Sequence, residues 1–236
     1  MPVEGLLDVS VIAPRIQGDR GADRGFVAGR SGSGKSFLIR RVLPVYGISK
    51  GHPKEFTGNL FIIDPIGNFD YPVDGIFQTV EEVRLDPKAR ALKYIPKPDQ
   101  YTGEKWNQLW EKLLAYRYPL MTYVDETRAM EPLFGRRNFE RGNFLNAYLT
   151  RGRARFKGAI LGAQRPVTIP RDIIGQAEWF YIFDLPLEDD RATVAGTVGE
   201  FSADGERIRD RGQLKRFEFW FKGPDIDYPV KAQIVK

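Results

Sequence analysis

The residues Gly29-Arg30-Ser31-Gly32-Ser33-Gly34-Lys35-Ser36 follow the spacing G-x-x-x-x-G-K-S in full. Small residues at these positions let successive backbone N–H groups curl around an anion. A helix that starts directly after them adds its partial positive charge. The chemistry that needs this arrangement is the cradling of a nucleotide's phosphates. Lys35 can reach the β- and γ-phosphates, and Ser36 can offer its hydroxyl to Mg²⁺. A flexible Gly/Ser turn would have the same composition. The flanking sequence favours the cradle, because the apolar Phe26-Val27-Ala28 precedes it and the helix-forming Phe37-Leu38-Ile39-Arg40-Arg41-Val42-Leu43 follows it.

A phosphate cradle that does chemistry also needs a carboxylate for the metal, delivered by a neighbouring strand. Pro119-Leu120-Met121-Thr122-Tyr123-Val124 is such a strand, and it ends in Asp125-Glu126. Asp125 suits the Mg²⁺ site, acting through the ion's water shell. Glu126 suits the orientation and deprotonation of an attacking water. A paired glutamate favours hydrolysis over phosphoryl transfer to a metabolite. ATP and Mg²⁺ are the expected ligands.

The elements that must position these groups read as an α/β fold. Short apolar runs alternate with helical stretches, the pattern of a mostly parallel central sheet flanked by helices. Strands are expected at 25–28, 59–63, 91–95, 120–124, 158–163 and 179–185. Helices are expected from Lys35 to about Pro44, over 79–85, over 104–116 and over 138–150. In the 104–116 stretch, Trp106, Leu109, Trp110, Leu113 and Leu114 recur at helical spacing, which points to core packing. Phe217, Phe219 and Phe221 alternate with polar neighbours and Trp220, which suggests a late antiparallel strand. The polar segment 188–213 reads as loop with a short helix. The 236 residues suit one domain over 1–236, with a motif-bearing core at about 25–185 and an extension over 186–236.

Composition narrows the class. An apolar fraction of 42% with 28% charged residues fits a globular protein. No cysteine is present, so disulfides and thiolate metal sites are excluded. No signal-peptide pattern is read at the start, and no apolar run approaches the ~20 residues needed to span a bilayer. The lone His52 sits in a Gly-His-Pro turn and argues against histidine-based metal catalysis or a Ser-His-Asp triad. Asp64, before Pro65, reads first as a turn-former and second as a nucleotide contact. Net charge is +5, and between Arg136 and Arg171 nine basic residues face one acid, Glu140. So lopsided a window is a candidate surface for a polyanion. Arg136, Arg137 and Arg141 are candidate contacts for the backbone of such a polyanion, gripped without regard to sequence.

Leu149-Thr150-Arg151-Gly152-Arg153, followed by Gly158-Ala159-Ile160-Leu161-Gly162-Ala163-Gln164-Arg165-Pro166, resembles a signature of the FtsK–HerA superfamily of DNA-pumping ATPases. Members commonly carry a Gly-Arg pair, an apolar strand and then Thr-Gln-Arg-Pro; here Ala163 stands in place of the threonine. Within that group the chain is similar to the genome-packaging ATPases of tailless, membrane-containing double-stranded DNA viruses. The resemblance implies a RecA-like P-loop domain working as a homo-oligomeric ring, hexameric by analogy, on double-stranded DNA. It implies a capsid or portal-vertex partner and a place in the host cytoplasm or at the virion vertex. Gln164 would sense the γ-phosphate or the attacking water. An arginine finger would come from Arg153 first, then Arg151, then Arg155, donated to the neighbouring subunit's ATP; contact with DNA or a solvated surface are their other readings. Rival functions are a cellular or plasmid DNA pump, a filamentous-phage-type morphogenesis ATPase, and a nucleotide-dependent DNA clamp that does not translocate.

Overall fold

A computed structural model describes residues 22–45, 59–134, 143–212 and 214–234. His52 and the candidate DNA contacts Arg136, Arg137 and Arg141 lie outside these residues. The strands are β1 (Arg24–Ala28), β2 (Asn59–Ile63), β3 (Gly75–Phe77), β4 (Ala91–Tyr94), β5 (Leu120–Val124), β6 (Lys157–Ala163), β7 (Trp179–Ile182), β8 (Glu218–Lys222) and β9 (Val230–Gln233). They form one sheet in the order β3-β4-β2-β5-β6-β1-β7-β8-β9. All pairings from β3 to β7 are parallel, and β8 and β9 are antiparallel additions at one edge. The expected α/β architecture is therefore the observed one.

Burial explains the sequence pattern. Every residue of β1, β2, β5 and β6 is buried, as expected of parallel strands covered on both faces, and this is why they read as unbroken apolar runs. Alternate residues feed two cores. Phe26, Phe61, Val124 and Leu161 face one layer, with Trp106, Trp110 and Tyr148. Val27, Ile62, Tyr123 and Ile160 face the other, with Leu38, Ile39 and Val42. The second layer is covered by α1 (Lys35–Val42) and the first by α2 (Gly103–Ala115) and α3 (Phe144–Arg151). The Trp110 and Tyr148 rings join α2 to α3 edge to face at 4.9 Å.

The helix boundaries follow from their caps. Thr102 accepts from the Lys105 N–H and starts α2. Asn143 accepts from the N–H groups of Leu145 and Asn146 and starts α3, later than the 138 read from sequence. Each cap satisfies amide donors that the first helical turn leaves free. The expected helix at 79–85 is absent: that segment is turn and bend, held by Glu82 accepting from the N–H groups of Gln78 and Thr79. Strands β3 and β9 escaped the sequence reading because they are short and half-buried at the sheet's edges. A four-residue helix α4 (Arg171–Ile174) lies between β6 and β7, and the segment after 185 holds an eleven-residue helix α5 (Glu188–Val198), longer than the short helix expected.

Gly162 in β6 permits a close approach that the site depends on. A Cβ built there would lie 2.5 Å from the Asp125 carbonyl oxygen and 2.8 Å from that of Val124. Both atoms are backbone, so neither can swing aside. Only glycine lets β6 pass this close to the chain leaving β5.

Candidate active site

The sequence motifs converge at the carboxyl ends of β1, β5 and β6. The phosphate loop leaves β1 and is pinned on both sides: Gly29 N–H donates to Ala163 O at 3.1 Å and Arg30 N–H to Asp184 O at 3.0 Å. The Arg30 side chain adds an ion pair to Asp184 at 2.7 Å. Gly32 and Gly34 have φ of 76° and 119°, in the left-handed region that favours glycine. The loop then feeds α1, whose first residue is Lys35. Lys35 Nζ donates to the carbonyl oxygens of Gly29 and Arg30, spanning the loop it belongs to. Burial lowers the Lys35 pKa, and the charges of Glu126 and Asp125 oppose that shift.

The cradle fits a phosphate on its own geometry. Its turns require glycine, its Lys35 is already laid across it, and the buried Ser33 Oγ has no hydrogen-bond partner among the described residues. An unpaired buried hydroxyl is costly unless something it can bond is meant to sit there. For a cation, the local donors are the Ser36 hydroxyl and the Asp125 carboxylate. Among the described residues there is no cluster of three or more His, Cys, Asp or Glu side chains. An oxygen-only, sparse donor set suits Mg²⁺ carried on substrate phosphates better than a protein-caged metal.

Asp125 and Glu126 follow β5 and are held differently. The Asp125 N–H donates to Ile63 O at 2.9 Å, and its Oδ1 accepts from the Tyr123 hydroxyl at 2.7 Å. Tyr123 lies two residues upstream on the same strand face and is buried. Glu126 Oε2 accepts from the Gln164 backbone N–H at 3.2 Å, and Oε1 from Arg128 N–H at 3.3 Å. Glu126 is thereby tied to the end of β6, the strand adjacent to its own. Burial raises the pKa of both carboxyls above the ordinary range. The Gln164 side chain is half-buried at the same end of the sheet.

Two further acids shape the site's surroundings. Asp64 is the turn-former it was read to be: its carboxylate accepts from Gly67 and Phe69 N–H at 2.8 and 2.9 Å and pairs with Lys93 at 3.5 Å. Asp190, in the first turn of α5, was not singled out from sequence. It is fully buried and takes Arg165 Nε at 2.7 Å and Val167 N–H at 3.0 Å, fixing the loop that follows Gln164. No spacing rule marks it. Tyr123 was also missed, although its place two residues before Asp125 is a legible strand period.

The arginines proposed as fingers do not join this cluster. Arg151 ends α3, and Arg153 and Arg155 lie in the short 3₁₀ turn Gly152–Arg155 that leads into β6. They sit at the amino end of a seven-residue strand whose carboxyl end carries Gln164, roughly 20 Å away at ~3.3 Å per residue. Arg153 is tied within the chain to Glu178 at 2.7 Å and Asp23 at 3.4 Å. Arg151 and Arg155 are exposed.

The sequence matches no protein-family model. It is similar to the DNA packaging ATPase P9 of Enterobacteria phage PRD1, 28% identical over 190 residues that make up 78% of this chain and 73% of that protein. The structure is similar to that of the genome packaging NTPase B204 of Sulfolobus turreted icosahedral virus 2 bound to AMPPCP, with a TM-score of 0.64 and 17% identity. That alignment covers 90% of this chain and 98% of B204. It is also similar to VirB4 of Thermoanaerobacter pseudethanolicus, with a TM-score of 0.61, 11% identity, and 98% and 93% of the two chains covered. The chain thus has the P-loop ATPase fold, and its resemblance to the packaging ATPases of the FtsK–HerA group is borne out.

Proposed function

We propose that this chain is a Mg²⁺-dependent ATPase that drives double-stranded DNA through a ring of identical subunits, packaging a viral genome into a preformed capsid. The observation that carries the reading is the meeting of three motifs at one end of the sheet: a complete phosphate loop, the Asp125-Glu126 pair, and Gln164 tied to Glu126. In this reading the loop from Gly29 to Ser36 holds the phosphates, and Ser36 and Asp125 hold Mg²⁺. Tyr123 orients Asp125, Glu126 deprotonates the water, and Gln164 reports the γ-phosphate. Mg²⁺ when bound neutralises charge on the phosphate oxygens. Similarity to named packaging ATPases supports DNA as the cargo and a capsid or portal vertex as the docking partner, with the host cytoplasm or virion vertex as its place of action.

The placement of charge supports an assembly of copies. In this reading a transition state gathering negative charge on the γ-phosphoryl oxygens is served within the chain by Lys35, while Arg151, Arg153 and Arg155 lie at the far end of β6. An arginine from that end can only reach the nucleotide of another copy. Arg151 and Arg155 are exposed and need no rearrangement to do so; Arg153 would have to share or leave Glu178 and Asp23. Mixing Lys35→Ala subunits with subunits mutated to Ala at the finger should restore part of the activity at mixed interfaces. No recovery for any of the three arginines would remove the support for a trans finger.

The function itself is tested by steady-state ATPase rates with and without linear double-stranded DNA. Several-fold stimulation that fades as salt rises is expected of a motor gripping phosphates. A slow rate indifferent to DNA would replace the motor with a nucleotide-dependent clamp.

A further inference from the structure

If the site holds a nucleoside triphosphate, its orientation is set by the elements around β1. Glu126, Asp125 and Gln164 stand at the ends of β5 and β6, on one side of β1, and mark the γ-phosphate end. The nucleoside must therefore leave the cradle on the other side, toward β7 and β8. What lies there is the segment that leads into β8, folded back onto the phosphate loop. Phe217 N–H donates to Ser33 O at 3.0 Å, and Phe217 O accepts from Ile234 N–H at 3.0 Å. Phe217 has φ of 71°, a left-handed conformation that a non-glycine residue rarely adopts. A Cβ built on Gly34 would fall 2.8 Å from Phe217 Cδ1, so the ring lies directly against the loop.

This strained residue presents more than packing. The Phe217 ring meets Phe37, the first residue after the phosphate-loop motif, at 5.6 Å and 55°. The Arg216 guanidinium sits 4.9 Å from the Phe217 centroid, and that of Arg41 4.4 Å from the Phe37 centroid. Both rings are half-buried, and both arginines are exposed. Two half-buried aromatic rings and two exposed planar cations thus lie beside the nucleoside's exit. Flat π-systems are recognised by stacking on such surfaces.

We propose that Phe37, Phe217 and Arg216 form the subsite for the purine base of the bound nucleotide. The base stacks at the corner of the two rings, and Arg216, displaced from the face of Phe217, closes over it. Stacking reads a π-face rather than a hydrogen-bond pattern, so this subsite separates a nucleotide from bare triphosphate more than one purine from another. The proposal rests on the nucleotide-binding reading above.

The experiment titrates the full chain with Mg-ATP and, separately, with Mg-tripolyphosphate, by calorimetry, for the wild type, Arg216→Ala and Phe217→Leu. The wild type is expected to bind ATP at least tenfold more tightly than tripolyphosphate. Each variant should lose roughly tenfold in ATP affinity and bind tripolyphosphate as the wild type does. Unchanged ATP affinity in both variants overturns the proposal. So does equal weakening of both ligands, which would mean that the segment only props up the loop, and so does equal wild-type affinity for ATP and tripolyphosphate. If the wild type binds neither ligand, the phosphate-loop reading itself is lost, an outcome distinct from the others.

Discussion

Glu126→Gln is expected to bind Mg-ATP about as tightly as the wild type and to hydrolyse it at least ~100-fold more slowly, the usual scale of a lost general base. The amide keeps the side chain's shape and retains one oxygen for the Gln164 or Arg128 N–H. What it lacks is a lone pair basic enough to take a proton from water. Its stability should not suffer. Burial raises the Glu126 pKa in the folded protein, so the ionised form is an uphill state there. That cost is present above the folded pKa and vanishes below the unfolded one. At neutral pH the neutral amide relieves it, but one of the two N–H groups then meets the amide's NH2 donor, so the melting temperature should stay close to that of the wild type. The same shift places the acid limb of wild-type activity above the ordinary carboxylate range, because the base must be ionised to work. Single-turnover hydrolysis within a few-fold of wild type would end the assignment of Glu126 as base.

Lys35→Ala should fail in a different way, losing both affinity and turnover. Removing a preorganised positive group from the developing charge costs about 10² to 10³ in rate. Here the loop itself also loses its clasp, since Lys35 Nζ donates to the Gly29 and Arg30 carbonyl oxygens. Lys35 also compensates the two half-buried acids: burial lowers its pKa while Glu126 and Asp125 raise it. Taking it away leaves those carboxyls less compensated, so a lower melting temperature should accompany the lost activity, unlike Glu126→Gln. The pair of variants thus separates damage to chemistry from damage to the cradle. Wild-type turnover by Lys35→Ala would show that the phosphates bind elsewhere.

The central strands and the phosphate loop were legible because their requirements are local. Gly32 and Gly34 are needed for their own backbone angles, and β2 and β5 announce themselves as unbroken apolar runs because both faces are covered. What stayed hidden depends on distant partners. Asp190 reads as an ordinary acid at a helix start, yet it is the fully buried anchor of Arg165, twenty-five residues earlier. Phe217 was visible as part of an alternating strand, but nothing in its neighbourhood reveals that it lies on Gly34. The 79–85 stretch misled because its polar and apolar residues alternate suitably for a helix, while Glu82 spends its carboxylate on the Gln78 and Thr79 amides instead. The arginine motif is legible, but its distance from Gln164 could only come from the length and direction of β6.

The position of β1 in the sheet carries a consequence for how the chain comes into being on the ribosome. Its two neighbours are β6 and β7, so Arg24 aligns with Ala159 and Gly25 with Trp179. The strand that bears the phosphate loop lies far ahead of both neighbours in the chain, and it must wait for β6 and β7 before either flank can be zipped. Long-range pairing of this kind folds late and slowly. A nascent chain cut short before β6 emerges would expose an apolar ribbon with a glycine-rich tail and no pocket. In the proposed reading, nucleotide capture therefore waits until both β6 and β7 have been made.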